Sequence, residues 1–300
     1  MIVPGTALVV FGEQRSGTTL LTQLLNTQEG LHVEIGVLTH ALLDARDRGL
    51  SMTRRLRDAD RARIAAAVNV GLGATRIERR LAPEGFETLG EACARAFDAI
   101  RGEARIAGTK EHAPHEAIRP LLDAGAHVLV IVRDPRDVIL SHARRGNGAL
   151  ARRVVRWRSS THHALSLAHP RIFVVRYEDL VRDVRETFVR IGEAFGWPLD
   201  PERAAAWRLP EGHPTNTSFG TAMPRVDEAP VERWRRFEDD PWVRFAGAWC
   251  APVLRRLSYA EGPVMSRAEL LRHTARGAAV ALRRRAGDAR RRVAAELPGR

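Results

Sequence analysis

The sequence has few of the residues and runs that mark secreted, metal-binding or membrane-spanning proteins. It contains two cysteines in 300 residues, Cys93 and Cys250, so we expect no disulfide framework and no bound metal. No uncharged run approaches the roughly 20 residues that are needed to span a bilayer. The N-terminus has no basic segment, and its apolar stretch is too short for a signal peptide. These features predict a reduced, cytoplasmic protein.

Acidic residues are also in the minority, and the excess positive charge is concentrated at one end. The formal net charge is +12. Residues 266–300 hold ten arginines against three acidic residues, which is +7 and leaves +5 for the other residues. A mildly basic body suits an enzyme for anionic ligands, whereas a nucleic-acid binder more often spreads the excess over its fold. We therefore predict no nucleic-acid partner, a domain at 1–265, and an arginine-rich C-terminal helix or tail at 266–300.

The arginine-rich tail has two interpretations. The tail contains arginine triplets at Arg283–Arg285 and Arg290–Arg292, and Ala, Leu and Val are among its other residues. Such a segment could make a peripheral contact with an anionic membrane or bind a polyanion. It could equally be a solvated extension of a terminal helix. Neither this choice nor the oligomeric state follows from the pattern.

Short apolar runs alternate with helical patterns along the chain. Three of the four runs are nearly continuous, as strands covered on both faces by helices are. The runs are Ala7–Gly12, Arg105–Gly108, His127–Val132 and Arg171–Tyr177. The helical patterns lie at Thr18–Asn26, from about Leu42 to Ile100, at His115–Ala124 and at Asp183–Phe195. This alternation predicts a single α/β domain with a doubly wound, mainly parallel sheet flanked by helices, and a helical insertion.

The segment after the first run has the features of an anion-binding loop. Gly12, Gly17 and Thr19 match the pattern G-x-x-x-x-G-K-[ST], and a helical pattern begins at Thr18. Backbone N–H groups and the positive end of the helix dipole would point at one spot there. Thr18 stands where the pattern has the lysine that spans the β- and γ-phosphates of ATP, and Arg15 is the cation of the loop. The loop is therefore predicted to bind a phosphate of a ligand without that phosphate pair.

A second phosphate site is predicted where the run His127–Val132 ends. Arg133 follows the strand directly, Pro135 suits the first turn of a helix, and Ser141 lies about two helical turns further on. A guanidinium and a hydroxyl can clamp a phosphate through charge-assisted hydrogen bonds. The alternative is a strand–helix junction that is held together by ordinary Arg–Asp pairs.

Three segments occur in an order and approximate spacing that one enzyme family shares. They are Gln14–Leu21 (Gln-Arg-Ser-Gly-Thr-Thr-Leu-Leu), Val132–Val138 (Val-Arg-Asp-Pro-Arg-Asp-Val) with Ser141, and Val175–Leu180 (Val-Arg-Tyr-Glu-Asp-Leu). They resemble the sulfotransferases that use 3′-phosphoadenosine 5′-phosphosulfate (PAPS). A looser likeness to that family's cofactor-covering stretch follows at Glu232–Arg235. The resemblance spans about residues 5–260. It implies a P-loop-like fold and transfer of a sulfuryl group from PAPS to an acceptor hydroxyl by in-line displacement.

The resemblance also implies a role for each matching residue. The residues that would hold the 5′-phosphosulfate are Arg15, Ser16, Gly17, Thr18 and Thr19. Arg133 and Ser141 would bind the 3′-phosphate, and Tyr177 would lie near the adenine. Arg233 or Trp234 would close over the nucleotide. PAPS carries two separate phosphates and no γ-phosphate, which agrees with the two predicted phosphate sites.

Two residues are candidates for the general base that takes the proton of the acceptor. The stretch Lys110–Pro114 resembles the Lys-x-His-x-Pro stretch of cytosolic sulfotransferases, which implies His112 as the base and Lys110 as a contact of the leaving phosphate. Glu34 lies near the position where tyrosyl-protein and several bacterial members have a glutamate base. Either residue could instead be an ordinary solvated side chain. Arg15 replaces the lysine of many animal members and keeps its charge, but it cannot donate a proton.

The acceptor and two other function classes stay open. A hydroxyl-bearing carbohydrate, lipid or small metabolite is expected, with a pocket formed by the segments Leu38–Ile100 and Leu209–Val231. One alternative is a nucleotide or small-molecule kinase on the same loop scaffold, which Thr18 in the lysine position disfavours. The other is a non-catalytic protein that binds an anion or a membrane through the tail.

Overall fold

The computed structural model describes residues 2–3, 5–75, 77–112, 115–146, 148–208, 225–262, 265–266 and 268–271. Most of the predicted loop Leu209–Val231 and most of the arginine-rich tail lie outside these residues, so both stay predictions. None of the described helices has the length and apolar character that crossing a bilayer would require.

The described residues contain a parallel sheet of five strands. The strands are β1 (Ala7–Phe11), β2 (Leu31–Ile35), β3 (Ile106–Glu111), β4 (His127–Val132) and β5 (Ile172–Arg176). Their order is β2-β3-β1-β4-β5, and every neighbouring pair is parallel. After β1 the chain adds β2 and β3 on one side of that strand, and it then passes β1 to add β4 and β5 on the other side. This arrangement confirms the predicted α/β class and makes the carboxyl end of β1 the point where strand order reverses, which is where ligands of such sheets bind.

Burial explains which strands the sequence pattern predicts. Every residue of β1 and β4 is buried, as their apolar runs require, and every residue of β3 is buried as well, including the polar Thr109, Lys110 and Glu111. In β2 the apolar Leu31 and Val33 are buried, whereas His32 and Glu34 between them are only partly buried. This alternation is typical of an edge strand with one solvated face. The prediction of four strands was incomplete because it considered mainly continuous apolar runs.

Helices alternate with the strands along the chain. They are α1 (Thr18–Leu25), α2 (Thr39–Asp47), α3 (Asp58–Ala74), α4 (Leu89–Arg101), α5 (Ile118–Asp123), α6 (Pro135–Arg144), α7 (Leu150–Ser166), α8 (Tyr177–Arg182), α9 (Val184–Phe195), α10 (Pro201–Ala205) and α11 (Pro241–Arg256). The single helical stretch that was predicted from about Leu42 to Ile100 consists of α2, α3 and α4, with a short 3-10 turn at Pro83–Gly85.

Side-chain caps determine where two of these helices begin. Asp134 accepts a hydrogen bond of 2.9 Å from the N–H of Arg136, and Pro135 occupies the first turn of α6, as predicted. Asp183 accepts a bond of 2.9 Å from the N–H of Glu186 at the start of α9. Such caps satisfy N–H groups that have no partner within the helix.

The described residues fall into two compact units. The first unit holds the sheet and comprises the described residues of Met1–Arg133, Ser160–Thr215 and Thr221–Glu228. The second comprises those of Asp134–Ser159 and Ala229–Arg300, and it holds α6 and α11. The predicted boundary between 265 and 266 stays a prediction.

Candidate active site

The loop between β1 and α1, in the first unit, has an unusual backbone. Arg15 has a φ of +75°, and Gly17, which precedes the first residue of α1, has a φ of +91°. A left-handed conformation is uncommon for a residue other than glycine, and it costs about 1–3 kcal/mol unless the surroundings maintain it. Left-handed residues in such loops turn neighbouring N–H groups toward a common side and create a concavity for an anion. The strained residue is the one cation that the sequence assigns to this loop.

The loop is held close to the ring of Tyr177. A Cβ atom on Gly17 would lie 2.4 Å from Cδ2 of that ring, which is closer than real Cβ contacts. Glycine is therefore required at position 17 both for its φ and for this approach. Tyr177 is buried and is the first residue of α8, and not the last residue of a strand as the apolar run indicated.

Polar groups in the loop suit a phosphate. Ser16 is 1% exposed, and its hydroxyl oxygen has no hydrogen-bond partner. No side chain accepts a hydrogen bond from the N-terminal N–H groups of α1. Thr18 is buried and Thr19 is partly buried in the first turn of the same helix. Since a buried hydroxyl without a partner is costly, these groups fit the oxygen atoms of a bound anion.

Arg133 joins the loop to Tyr177. Its Nη1 donates a hydrogen bond of 3.2 Å to the backbone oxygen of Arg15. Its guanidinium carbon lies 4.6 Å from the centroid of the Tyr177 ring, within the range of a cation–π contact. The structure thus brings together three of the predicted nucleotide contacts, namely the loop, Arg133 and Tyr177, in one cluster of the first unit.

Lys110 and His112 lie at the carboxyl end of β3, beside β1. Lys110 is the only lysine among the 48 Lys and Arg residues of the chain, and in the sheet it is opposite Val10 of β1. It is 5% exposed, and burial lowers its pKa, an effect that the neighbouring charge of Glu111 partly offsets. His112 directly follows the strand and is partly buried.

Glu34 belongs to the edge strand β2 and is partly buried. It lies opposite Thr109 of β3 in the sheet. One of its carboxylate oxygens, Oε1, is 2.9 Å from Nε2 of His32, which is two residues earlier on the same strand. The two base candidates therefore occur near the carboxyl ends of neighbouring strands, and Glu34 already has a side-chain partner.

The other predicted nucleotide contacts belong to the second unit. Ser141 is 2% exposed in α6. Trp234 is fully buried: its backbone N–H donates to Oδ1 of Asp137 at 2.8 Å, and the guanidinium carbon of Arg136 lies 3.6 Å from the centroid of its ring. A ring enclosed in this way packs within its unit and presents no face to a nucleotide. Of the two residues predicted to cover the nucleotide, Arg233 is therefore the remaining candidate.

Acidic, histidine and cysteine side chains show no metal centre in the part of the chain that the structure describes. No group of three or more of them is arranged to hold an ion there. Cys93 and Cys250 are both buried free thiols, and burial raises the pKa of Cys93 to about 12. The described cysteines are therefore packed as small apolar side chains.

A five-stranded parallel sheet whose strand order reverses beside a glycine-bearing strand–helix loop defines the doubly wound α/β class. Within that class, the family model described as "Sulfotransferase family" matches residues 7–201. The chain therefore belongs to the sulfotransferase family. No curated protein matches the chain in sequence.

Several solved structures are similar to this chain, and the first of the three described here has the same fold. The sulfotransferase domain from the curacin biosynthetic pathway is 16% identical, covers 87% of this chain and 99% of its own, and has a TM-score of 0.55. Sulfotransferase STF9 from Mycobacterium avium is 18% identical, covers 88% of this chain and 79% of its own, and has a TM-score of 0.48. Retinol dehydratase in complex with androsterone and the inactive cofactor PAP is 18% identical, with 85% and 82% coverage and a TM-score of 0.43. Similarity in fold is taken from the first of these, whose TM-score exceeds 0.5.

Two site features were missed by reasoning from the sequence. Glu111 was treated as the variable position between Lys110 and His112, yet it is fully buried. It accepts hydrogen bonds from Leu38 and Thr39, which precede it by 73 and 72 positions. Nothing in the local pattern points to so distant a set of partners. The uniqueness of Lys110 was also overlooked, although a count of lysines would have drawn attention to it.

Proposed function

We propose that this sulfotransferase uses PAPS as its donor and transfers the sulfuryl group to an acceptor hydroxyl. The observation that carries the proposal is the cluster around the loop, where the buried Ser16 hydroxyl has no partner and the strained Arg15 is bonded to Arg133. An anionic group supplies the acceptor oxygens that such donors require. Membership in the sulfotransferase family supports the transfer chemistry.

The loop binds and orients the donor. Hydroxyls of Ser16, Thr18 and Thr19 and the N–H groups at the start of α1 hold the 5′-phosphosulfate. When bound, PAPS supplies an activated sulfuryl group that an alcohol oxygen attacks in line. The fixed charge of Arg15 stabilises the negative charge that develops on the bridging oxygen. Because a guanidinium does not lose its proton in proteins, Arg15 acts through charge alone.

Arg133, Ser141 and Tyr177 recognise the rest of the nucleotide. Arg133 and Ser141 bind the 3′-phosphate, and Tyr177 lies near the adenine. The contact of Arg133 with the Tyr177 ring supports this pairing, since one stacked guanidinium can serve both a phosphate and an aromatic neighbour. Arg233 closes over the bound nucleotide.

His112 or Glu34 removes the proton of the acceptor, with Lys110 at the leaving phosphate. The position of His112 directly after β3, two residues beyond Lys110, supports the histidine. The placement of Glu34 near the end of β2 supports the carboxylate, whose side-chain partner is His32. Comparing His112→Gln with Glu34→Gln decides between them. Removal of the base should lower kcat strongly and leave the affinity for 3′-phosphoadenosine 5′-phosphate (PAP) unchanged.

The unique lysine provides a direct test of the donor. Lys110 is the only side-chain amine, so an amine-specific reagent reports on that position once the product of the N-terminal amine is distinguished by peptide mapping. We expect PAP to slow the modification of Lys110 and to raise the thermal unfolding midpoint, because a ligand of the folded state stabilises it. ATP with Mg²⁺ serves as the comparison and should do neither. Protection by ATP with Mg²⁺ but not by PAP would instead support the kinase alternative.

The tail and the acceptor are tested separately. A chain lacking 266–300 should keep its stabilisation by PAP, whereas a protein that acts only through its tail would lose its ligand. Labelled PAPS offered with carbohydrates, hydroxylated lipids and small phenols or alcohols then identifies the acceptor class by the labelled product. A chain that binds PAP but labels none of these classes has an acceptor of another chemistry. A chain that does not bind PAP contradicts the proposed donor.

A further inference from the structure

The turn that leads from β2 into α2 is bonded to the carboxyl end of β3. We call residues Gly36–Thr39 the α2 turn. Three successive N–H groups of this turn donate hydrogen bonds to three successive residues of β3. The pairs are Gly36 to the backbone oxygen of Lys110 at 2.8 Å, Val37 to Oγ1 of Thr109 at 3.2 Å, and Leu38 to Oε1 of Glu111 at 2.8 Å.

Glu111 is at the centre of this arrangement. The carboxylate is fully buried and accepts three hydrogen bonds. Oε1 accepts from the N–H of Leu38 and, at 2.5 Å, from the hydroxyl of Thr109, while Oε2 accepts a short bond from the hydroxyl of Thr39. All three partners are donors, which is the set that an ionised carboxylate needs when it is removed from water. Burial raises the pKa of Glu111, and these bonds and the charge of Lys110 counteract that effect.

The hydroxyl of Thr39 continues the network to a base candidate. Its oxygen donates to Glu111 and also accepts a hydrogen bond of 3.4 Å from the backbone N–H of His112. One side chain of α2 therefore joins the buried carboxylate to the backbone of the residue that follows β3. Thr109 provides a natural comparison, because its hydroxyl also donates to Glu111 but has no described bond to His112.

The α2 turn also supports the helices of the insertion. No side chain within α2 caps its N-terminus, and the Glu111 carboxylate accepts from the residue just before the helix, where negative charge is favourable. Helix α3 packs directly on the turn: a Cβ on Gly71 would lie 2.3 Å from the backbone oxygen of Val37. The insertion that is predicted to form the acceptor pocket is thus attached to β3 through this turn.

We propose that Glu111 is a positioning residue, whose buried carboxylate holds the α2 turn and, through Thr39, sets the backbone of His112 relative to the acceptor side of the site. The proposal rests on the proposed function for its kinetic consequence. Glu111 itself does not touch substrate. It aligns the end of β3, with Lys110 in the strand and His112 directly after it, with the wall of the acceptor pocket.

The test compares two threonines that both donate to Glu111 but accept from different backbone N–H groups, that of His112 for Thr39 and that of Val37 for Thr109. Thr39→Val and Thr109→Val each remove one hydroxyl donor from Glu111, but only the first removes the bond to the N–H of His112. Thr39→Ser restores that hydroxyl and serves as the rescue variant. These variants are preferable to Glu111→Ala, which leaves several buried donors without an acceptor and could prevent folding.

Amide exchange reports on the network without any acceptor. We expect Thr39→Val to speed hydrogen exchange of the His112 amide by about tenfold or more, since the bond that protects it is removed. In Thr109→Val the rate should stay within about threefold of the wild type, and Thr39→Ser should return to it. Equal rates in Thr39→Val and wild type, or equal increases in both valine variants, would overturn the proposal.

Kinetics report on the consequence for transfer. With the acceptor found in the PAPS screen, Thr39→Val should lower kcat by about tenfold or more and Thr109→Val by less than about threefold, with the Kd for PAP unchanged in both. A Thr39→Val enzyme with wild-type kcat, or one that loses turnover only in proportion to PAP affinity, would contradict positioning. If the wild type binds no PAP and transfers no sulfate, the proposed function fails, and the exchange rates alone decide whether Glu111 holds the turn.

Discussion

Arg133 and Arg136 are three residues apart, and each lies over an aromatic ring, yet their surroundings differ. Arg136 is fully buried, forms an ion pair of 2.6 Å with Asp134, donates to the backbone oxygen of Ala260, and lies 3.6 Å from the ring of Trp234. Arg133 is 7% exposed, lies 4.6 Å from its tyrosine ring, and donates to the backbone of the strained loop. Stacking on a ring therefore does not distinguish a structural arginine from a ligand-binding one.

The partners of the guanidinium make that distinction. A buried arginine that is paired with a buried carboxylate and a backbone carbonyl has its charge balanced inside the protein, so its loss is a matter of stability. An arginine that is hydrogen-bonded to a loop with a buried hydroxyl without a partner lies where we propose that an anion binds. The same short motif thus contributes one residue to packing and one to the proposed nucleotide site.

The largest expected effect is on stability and concerns Arg136. Arg136→Ala leaves Asp134 charged and buried, which should lower the free energy of unfolding by about 3–5 kcal/mol. Chemical denaturation measures it. The double variant Asp134→Asn with Arg136→Met removes both charges and keeps a cap for α6, so it should recover a large part of the loss. A single variant as stable as the wild type would contradict the structural role.

The second effect is on binding and concerns Arg133. Arg133→Ala should weaken PAP by about ten- to a hundredfold, because it removes one charged donor to a phosphate. The unfolding free energy should change much less than in Arg136→Ala. Arg133→Lys, which keeps the charge and loses the planar stack on Tyr177, should be intermediate in calorimetric titrations. If Arg133→Ala lost stability but kept its affinity for PAP, Arg133 would have the structural role that we assign to Arg136.

The third effect is the pH dependence of the free energy of unfolding, which we attribute to His127 and not to either arginine. Burial, followed by the charge of Arg171, lowers the pKa of His127 to about 4, and its ring lies 4.9 Å from the rings of Phe195 and Trp197. Because the unfolded chain takes up this proton near pH 6.5 and the folded chain only near pH 4, stability should fall as the pH decreases through that window.

The pH effect is measured on variants. Thermal unfolding of the wild type, Arg133→Ala and Arg136→Ala should show parallel losses between pH 6.5 and 4, since guanidiniums stay charged throughout. The loss from His127 is expected to be on the order of 1–2 kcal/mol, with allowance for partial solvation. His127→Gln should flatten the curve. An unchanged pH dependence in that variant would show that other groups are responsible.

The smallest effect concerns Ser16. Ser16→Ala removes a buried hydroxyl that has no partner, so the stability of the unliganded protein should stay within about 1 kcal/mol of the wild type or rise. PAP affinity should fall by about three- to tenfold if the hydroxyl bonds the ligand. Gly17→Ala is the contrasting change in the same loop, and it should destabilise the loop through its clash with the Tyr177 ring. Unchanged PAP affinity in Ser16→Ala would remove Ser16 from the site.

The sequence predicted the α/β class, the loop and the start of α6, and it missed features that depend on distant partners. Continuous apolar runs identified β1 and β4 because both strands are buried on two faces. The edge strand β2 escaped notice because His32 and Glu34 interrupt its apolar residues. Trp234 was one of the two residues that the resemblance offered as a cover for the nucleotide, and its burial could not be inferred without α6 beside it.

By itself the sequence determined the local conditions: apolar runs that must be buried, a glycine where a left-handed φ is needed, and a loop without the lysine of ATP-binding proteins. Tertiary structure alone decided which charges face one another. Glu111 acquires two of its three donors from Thr39 of α2 and from Leu38 before it, and Arg136 acquires Trp234 from a segment about a hundred residues later. Hydrogen bonds and ion pairs act over a few ångströms in space, so their partners follow from the fold and not from the order of residues.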